Sequence, residues 1–219
     1  MRFKGLTVTF LGTDGSGKST IIDNITPFLN EAFHGKVYYE HMRPNFIPSI
    51  ARLFGKNDIQ NVPVTNPHGS SISGFWGSFF RWAYYLLDYT FGYYIKVFPK
   101  KVFKSCVWIF DRYYHDYLID PKRARIKLPI WILKFGQLLI PELDVIICLG
   151  ADPAIIHSRK PELPLVEIER QVKELKEFSE KHKRAVWVDT DTTIEESRDA
   201  ALHHIVKVMA KRFKHVKLA

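Results

Sequence analysis

Cysteine is scarce in this sequence, with two residues among 219, Cys106 and Cys148. Both lie in apolar runs that we interpret as strands, and this setting favours buried, reduced thiols over a disulfide or a metal pair. The cysteine and histidine spacing typical of a zinc site is absent. Neither a disulfide-stapled scaffold nor a structural zinc is predicted.

Other features that would indicate particular protein classes are missing too. Low-complexity tracts and internal repeats are absent, so we predict an ordered chain. The Asn-Lys-x-Asp string expected of a GTPase switch does not occur. The first apolar run ends in a glycine-rich loop rather than in the cleavage site of a secretory signal, so we expect a cytoplasmic protein.

A long uninterrupted apolar run is also lacking. The most hydrophobic stretch, residues 75–98, is broken by Arg81, Asp88 and Lys96, which argues against a transmembrane helix and stable membrane insertion. We predict instead a buried helix with a few functional polar side chains, serving as a substrate wall or as the face of a homodimer. A helix lying on a membrane surface is the alternative, as it is for residues 128–140, which follow the basic string PKRARIK.

Positive charge is in excess, with a formal net charge of +9 and an isoelectric point near 9.4. This balance suits a nucleic-acid binder, but it also suits an enzyme that handles phosphorylated substrates. Part of the excess lies in the C-terminal string KVMAKRFKHVKLA, which we interpret as a solvated helix end. The charge is accompanied by no helix-turn-helix pattern and no second helicase core, so no nucleic-acid partner is expected.

The most specific signal is the string LGTDGSGKST at residues 11–20. It fits the phosphate-loop pattern G-x-x-x-x-G-K-[ST], because two glycines bracket four residues and a Lys-Ser pair follows. An apolar strand must lead into such a loop and a helix must follow it. Residues 6–12 and 18–33 fit those roles, with Pro27 expected to kink or shorten the helix. The predicted nucleotide-binding residues are Gly12, Asp14, Gly15, Ser16, Gly17, Lys18, Ser19 and Thr20.

Short apolar runs alternate with helical patterns along the rest of the chain. With the strand before the phosphate loop, they predict five parallel strands covered by helices on both faces, in a single domain over residues 1–219. Residues 54–74 are predicted to form a surface loop, and Thr192 or Thr193 to cap the last helix. The remaining strands are expected within residues 35–44, 105–116, 142–153 and 184–191.

Three charged side chains follow predicted strands: Arg43 after the second, and Asp111 and Arg112 at the end of the third. Ligands gather beyond the carboxyl ends of the strands in an open parallel sheet, so we expect these side chains near the phosphate loop. A turn with a local ion pair is the alternative for Asp111 and Arg112. Phosphoryl transfer uses such cations, together with oxygen ligands for Mg²⁺.

The strings GTDGSGKST, FDRYYHD, LGADP and HSRKPEL stand in the order and spacing of the thymidylate kinase family, which the sequence resembles over nearly its whole length. The resemblance implies a three-layer fold with ATP along the phosphate loop and a nucleoside monophosphate entering from the opposite side. It also implies a mobile lid, here residues 157–166. The string VDTDTT after the last strand resembles the loop that contacts adenine.

The resemblance also implies roles on the donor side. Lys18 would bridge the β- and γ-phosphates, and Ser19 and Asp111 would bind Mg²⁺. One branch of the family carries a catalytic arginine inside the phosphate loop, and the other has a glycine there and supplies the cation from its lid. Since this chain has Gly15 at that position, the lid cations join the implied catalytic residues, which are Lys18, Arg112, Arg159 and Lys160.

On the acceptor side the sequence departs from the family pattern. After the second strand only Arg43 and Pro44 align, and Tyr84, Tyr85 and Asp88 occupy the place of an arginine that reads the pyrimidine base. A dTMP kinase-like reaction is the leading hypothesis. A related kinase of nucleosides or sugar phosphates, or a nucleotide-binding pseudo-kinase, remains open. The candidate acceptor-binding residues are Asp14, Arg43, Arg81, Tyr84, Asp88, Arg112 and Tyr113.

Overall fold

The computed structural model describes residues 4–48 and 74–213. The predicted surface loop at residues 54–74 therefore lies almost wholly outside the described residues. So do residues 214–219, the end of the basic C-terminal string.

Five parallel strands form one sheet in the order β2-β3-β1-β4-β5. In the central register, Phe10 of β1 lies opposite Asp111 of β3, and Leu11 lies opposite Cys148 of β4. The predicted α/β fold with a parallel sheet is confirmed. The strands are β1 Leu6–Leu11, β2 Val37–His41, β3 Val107–Asp111, β4 Val145–Gly150 and β5 Ala185–Asp189.

The three inner strands are buried along their whole length, which explains why their residues are mostly apolar on both faces; the exceptions are Thr7 and Thr9 of β1 and Asp111 at the end of β3. The two edge strands are partly exposed. Around the sheet lie α1 Lys18–Ala32, α2 Phe75–Leu87, a π-helical segment Asp88–Val97, α3 Phe98–Phe103, α4 Asp116–Ile119, α5 Ile130–Leu139, α6 Pro153–Arg159, α7 Leu165–Lys181 and α8 Ile194–Phe213.

Alternate residues of β3 show how the helices divide between the two faces. Val107 and Ile109 pack into an apolar cluster with α1 and α8, whereas Trp108 and Phe110 pack into a cluster with α2, the π-helical segment and α5. Successive side chains of a strand point to opposite faces, so the sheet is the middle of three layers. This arrangement leaves the carboxyl ends of the strands open for a site.

Helix α1 continues past Pro27 to Ala32, so of the two expected effects, a kink or a shortening, the shortening does not occur. Proline removes one backbone donor and normally interrupts a helix where the freed carbonyl is buried. Pro27 and Asp23, four residues earlier, both lie on the exposed side of α1. The carbonyl that loses its partner therefore faces solvent.

The stretch at residues 75–98 is helical, but the prediction that it is buried is wrong for its outer side. Trp82 and Tyr89 pack against the sheet, whereas Trp76 is 69% exposed and Phe80 is 67% exposed. One side of the helix therefore supplies the core contacts and the other carries large apolar side chains at the surface. No helix within the described residues combines the length and hydrophobicity needed to cross a bilayer.

Two smaller predictions are confirmed. Thr193 caps α8: its hydroxyl accepts from the Glu196 amide at 3.2 Å, and the Glu196 carboxylate accepts from the Thr193 amide at 3.1 Å, as in a capping box. Cys106 and Cys148 are buried, free thiols.

His115, at the start of α4, gives the first testable prediction. Its ring is buried against Phe178 of α7 and His182, the residue that follows α7, and its Nδ1 has no hydrogen-bond partner among the described residues. Burial, with a smaller contribution from His182, lowers the pKa of His115 to about 3. Between that value and the ordinary pKa near 6.5 the unfolded chain binds the extra proton, so stability falls as the pH falls.

Because of His115, we expect the free energy of unfolding to fall by about 2 kcal/mol when the pH is lowered from about 7.5 to about 5. His115→Phe should reduce the loss, as measured by urea unfolding at both pH values. His203→Phe, at an exposed position on α8, is the matched control and should leave the loss unchanged. Equal acid sensitivity of His115→Phe and the wild-type protein would contradict the assignment.

Candidate active site

A cavity of about 440 Å³ opens at the carboxyl edge of the sheet, beside the phosphate loop. Residues from separate parts of the sequence meet there, as the fold requires of a site at this edge. His41 and Arg123 also line it, and neither was predicted from the sequence. The predicted residues in its wall are Asp14, Gly15, Gly17, Lys18, Ser19, Thr20, Asp111, Arg112, Arg159 and Lys160.

The loop conformation depends on two glycines. Gly15 has φ +89° and Gly17 has φ +80°, values that side chains rarely adopt. A Cβ atom at Gly15 would lie 2.8 Å from the carbonyl of Ile156 and 3.2 Å from the Cβ of Lys160. The end of α6 therefore occupies the space that a side chain at position 15 would need, and Lys160 lies against the loop.

Lys18 lies at the first turn of α1 and is buried. Its Nζ donates to the carbonyl of Gly12 at 2.7 Å and to that of Thr13 at 2.9 Å. Burial, followed by the nearby Arg112 guanidinium, lowers the pKa of Lys18 to about 7, although Asp14 opposes the shift. An incoming anion would restore the charged form of this amine.

Asp14 lies between two arginines. Arg112 donates to its Oδ1 at 2.6 Å and Arg123 donates to its Oδ2. Although burial opposes ionisation, these two guanidinium groups hold the pKa of Asp14 well below its ordinary value. The carboxylate therefore fixes both arginines in the wall of the cavity.

Arg112 is nearly fully buried and makes two further contacts, at 2.9 Å to the Asp116 carboxylate and at 3.3 Å to the Gly12 carbonyl. The buried carboxylates raise the pKa of Arg112 further, against the effect of burial. Its φ of +72° is unusual for a residue with a side chain. Since the Arg112 amide donates to the carbonyl of Phe10 at 2.9 Å, the strained backbone is held by the neighbouring strand.

Arg123 could not be assigned from the sequence because it belongs to the basic string PKRARIK, whose clearest signal was its charge. Its reach to Asp14 depends on how residues 120–127 return towards the phosphate loop. The amide of Arg123 donates to Asp120 at 3.3 Å, which fixes that turn locally.

Asp111 is the candidate metal ligand at the end of β3. Its Oδ2 accepts from the hydroxyl of Tyr39 at 3.1 Å and lies 3.3 Å from Nδ1 of His41. Burial opposes ionisation, but His41 and the Lys18 ammonium hold the pKa of Asp111 below its ordinary value. The second oxygen, Oδ1, is buried and has no hydrogen-bond partner among the described residues.

The donor set fits Mg²⁺, which in phosphate sites takes one or two protein oxygens and completes its shell with phosphate and water oxygens. The unpartnered Oδ1 of Asp111 supplies one such oxygen, and Ser19, exposed in the same cavity wall, supplies a hydroxyl. Within residues 4–48 and 74–213 no cluster of three or more histidine, cysteine or acidic side chains could hold a metal without further ligands.

A smaller cavity, of about 210 Å³, also adjoins the phosphate loop. It is lined by Gly17 and Thr20 of the loop and by Thr190 and Thr192, which follow β5. Arg159 lines both cavities, and its guanidinium donates to the carbonyl of Thr190 at 2.9 Å. The loop VDTDTT, which resembles an adenine-contacting loop, therefore shares a cavity with the phosphate loop.

Two of the candidate acceptor residues contact each other rather than the cavity. Arg43 donates to Asp88 at 2.9 Å and lies 4.8 Å from the ring centroid of Tyr85. Asp88 is fully buried and also accepts from the amides of Phe46 and Ile47. The carboxylate is thus used to hold the chain that follows β2.

Of the predicted acceptor residues, Asp14 and Arg112 line the cavity, whereas Tyr113, Tyr84 and Arg81 lie outside its wall. Tyr113 has no exposed surface and donates to the carbonyl of Pro141 at 3.0 Å, so this position does not support substrate contact. Tyr84 donates to the carbonyl of Pro48 at 2.6 Å. Arg81 is half-buried on α2 and is not among the cavity residues. The side chain of Tyr113, the residue that follows Asp111 and Arg112, therefore lies in the core.

The sequence matches no known family and no curated protein. Among solved structures, the fold is similar to that of a thymidylate kinase from Ehrlichia chaffeensis, with a TM-score of 0.59. The two chains are 14% identical, and the match covers 92% of this chain and 98% of the other. At that identity the likeness extends to the fold: an α/β arrangement with a five-stranded parallel sheet, as in phosphate-loop NTPases.

Proposed function

We propose that this protein is an ATP-dependent phosphotransferase that acts on a nucleoside monophosphate, in a reaction like that of a thymidylate kinase. The observation that carries the proposal is that one cavity gathers Lys18, Asp111, Arg112 and Arg159 from distant parts of the sequence. Phosphoryl transfer requires alignment of the reacting oxygens and compensation of their charge, and this set supplies the charged groups.

On the donor side, the phosphate loop would hold the triphosphate. Backbone N–H groups at the start of α1 and the Lys18 ammonium would face the phosphates. The smaller cavity, which the loop shares with Thr190 and Thr192, is suited to the adenine end of ATP. Bound through Ser19 and Asp111, Mg²⁺ would neutralise part of the phosphate charge.

On the acceptor side, Arg112 and Arg123 would bind the acceptor phosphate. Both are held in place by Asp14, so their positions are largely set before a substrate arrives. Arg159 and Lys160 line the same cavity and would supply the cation at the transferred group. The proposed lid, residues 157–166, consists of the end of α6 and the short connection to α7.

A kinase of another phosphorylated small molecule is the second candidate, and the Arg43–Asp88 pair favours it. The residues that occupy the place of a pyrimidine-reading arginine are committed elsewhere: Asp88 is fully buried, and Tyr84 bonds to Pro48. The charged groups proposed for phosphate transfer line one cavity. Among the described residues at the predicted acceptor positions, none is placed to recognise thymine.

An acceptor screen tests the proposal. Purified protein with ATP and Mg²⁺ should form ADP fastest with a pyrimidine deoxynucleoside monophosphate, the acceptor class that the resemblance to thymidylate kinases implies. Formation of ADP is followed with a coupled assay over a panel of nucleotides and phosphorylated sugars, with ATP alone as the blank.

Two outcomes would contradict the leading assignment. A sugar phosphate as the best acceptor would support the second candidate. Rates equal to the blank across the whole panel, with ATP binding detected by calorimetry, would support a pseudo-kinase that binds nucleotide without transferring phosphate.

A further inference from the structure

A broad apolar surface lies on α2, the π-helical segment and α5, and we call it the α2–α5 face. Its side chains are large and between about half and four-fifths exposed, more than a surface of a soluble monomer normally carries in one place. The members are Trp76, Phe80, Leu87, Phe91, Ile95, Ile130, Trp131, Phe135 and Leu138.

The two helical parts of this face are joined underneath. Trp82 of α2 donates to the hydroxyl of Tyr114 at 2.7 Å, and that hydroxyl donates to the carbonyl of Leu133 in α5 at 2.9 Å. A Cβ atom at Gly136 of α5 would lie 2.9 Å from the Trp82 ring. The two helices therefore contact each other at Trp82 and Gly136 and share Tyr114 as a hydrogen-bonding partner.

Spacing places the exposed residues on the outer side of each helix. On α2, Trp76 and Phe80 are four residues apart, while Ser78 and Trp82 between and after them face the core. On α5 the same spacing separates Trp131 from Phe135. Each helix thus carries large apolar side chains on its outer side as well as on the side that faces the core.

The charges near this face have one sign. In residues 74–103 and 121–140 the sole acidic residue is Asp88, which is fully buried and paired with Arg43. The exposed charged side chains of the segment that leads into and through α5 are basic: Lys122, Arg125, Lys127 and Lys134.

We propose that the α2–α5 face docks onto an anionic lipid bilayer, with the tryptophans and phenylalanines in the headgroup region and the basic side chains on acidic lipids. Exposed aromatic and aliphatic side chains flanked by lysine and arginine are the composition of an interfacial helix. Basic residues next to such a surface are attracted by the negative potential of acidic lipids.

Charge favours a membrane over a second copy of this chain. In a symmetric dimer the same segments of both copies would meet, and they offer no exposed acidic side chain to pair with the four exposed basic ones. An anionic bilayer supplies the opposite charge as well as the apolar layer. The proposal does not depend on the reaction proposed above, because the face shares no residue with either cavity wall.

Vesicle flotation tests the proposal. The full-length protein should float with phosphatidylcholine–phosphatidylserine vesicles, bind phosphatidylcholine vesicles much more weakly, and lose binding as salt rises. Tryptophan emission should shift to the blue on binding, since Trp76 and Trp131 are exposed whereas Trp82 and Trp108 are already buried. The combined variant Trp76→Ser, Phe80→Ser, Trp131→Ser, Leu138→Ser should bind at least about tenfold more weakly.

The matched control is Phe28→Ser with Val166→Ser, which removes exposed apolar side chains from α1 and α7 and should bind vesicles as the wild type does. A charge variant, Lys122→Glu with Lys127→Glu, should lose the preference for acidic lipid while keeping the fold, as checked by circular dichroism. Absence of vesicle binding by the wild type would overturn the proposal. So would a wild-type dimer in sedimentation that the apolar variant converts to a monomer, which would assign the face to a second copy.

Discussion

Replacing Lys18 with Met is expected to lower phosphoryl transfer at least ~10³-fold, about 4 kcal/mol of transition-state stabilisation, while the protein stays folded. The Lys18 ammonium lies over the phosphate loop, 2.7 Å from the Gly12 carbonyl, and would bind the donor phosphates. Since burial already lowers the pKa of this amine to about 7, its removal relieves a desolvation cost. The free energy of unfolding should therefore change by about 1 kcal/mol or less.

A coupled ADP assay with the best acceptor measures the rate, and urea unfolding measures the stability. Lys181→Met, an exposed position on α7, is the matched control and should alter neither. Arg159→Ala is a useful comparison, because it should lower turnover and leave the affinity for ATP nearly intact if this side chain acts at the transferred group. Activity of Lys18→Met within about tenfold of the wild type would exclude the proposed donor site.

Replacing Arg112 with Met should both abolish transfer and lower the free energy of unfolding by about 3–5 kcal/mol. Arg112 is 4% exposed and pairs with the carboxylates of Asp14 and Asp116. Removing the guanidinium leaves Asp116 as an uncompensated buried charge, whereas Asp14 keeps Arg123. Most of the expected loss in the free energy of unfolding therefore comes from the unpaired, buried carboxylate of Asp116.

This division can be tested with a second substitution. Adding Asp116→Leu to Arg112→Met should restore most of the stability, because the stranded carboxylate is removed, but it should not restore the reaction. Urea unfolding and ADP formation separate the two effects. Arg198→Met, which breaks an exposed pair with Asp199, is the control and should leave the unfolding midpoint unchanged. Recovery of activity in the double variant would mean that Arg112 has a structural role alone.

The fold was predictable because its signals are local. The three inner strands are mostly apolar, the phosphate loop has fixed spacing, and both determine the neighbouring elements without knowledge of the rest of the chain. The positions of Asp111 and Arg112 followed from one topological rule, that parallel strands end at the same edge. Those residues do meet the phosphate loop in one cavity.

The remainder of the site depends on contacts between distant segments, which spacing does not reveal. Arg123 reaches Asp14 because residues 120–127 turn back to the loop, and Tyr113 faces the core because the backbone at Arg112 has a positive φ. Asp88 resembled a functional carboxylate but binds Arg43 and two backbone amides. For residues 75–98 the sequence indicated a helix, but hydrophobicity on all sides did not indicate which side would meet the sheet.

The tight contact between Gly15 and the end of α6 has a consequence for redesigning the phosphate loop. The Ile156 carbonyl and Lys160 fill the volume beside Gly15, so a cation cannot simply be grafted onto the phosphate loop in place of the one on α6. Any such transplant would first have to push α6 outwards and carry Arg159 away with it. A side chain at position 15 and the present position of the end of α6 therefore exclude each other, because both need the same space beside the loop.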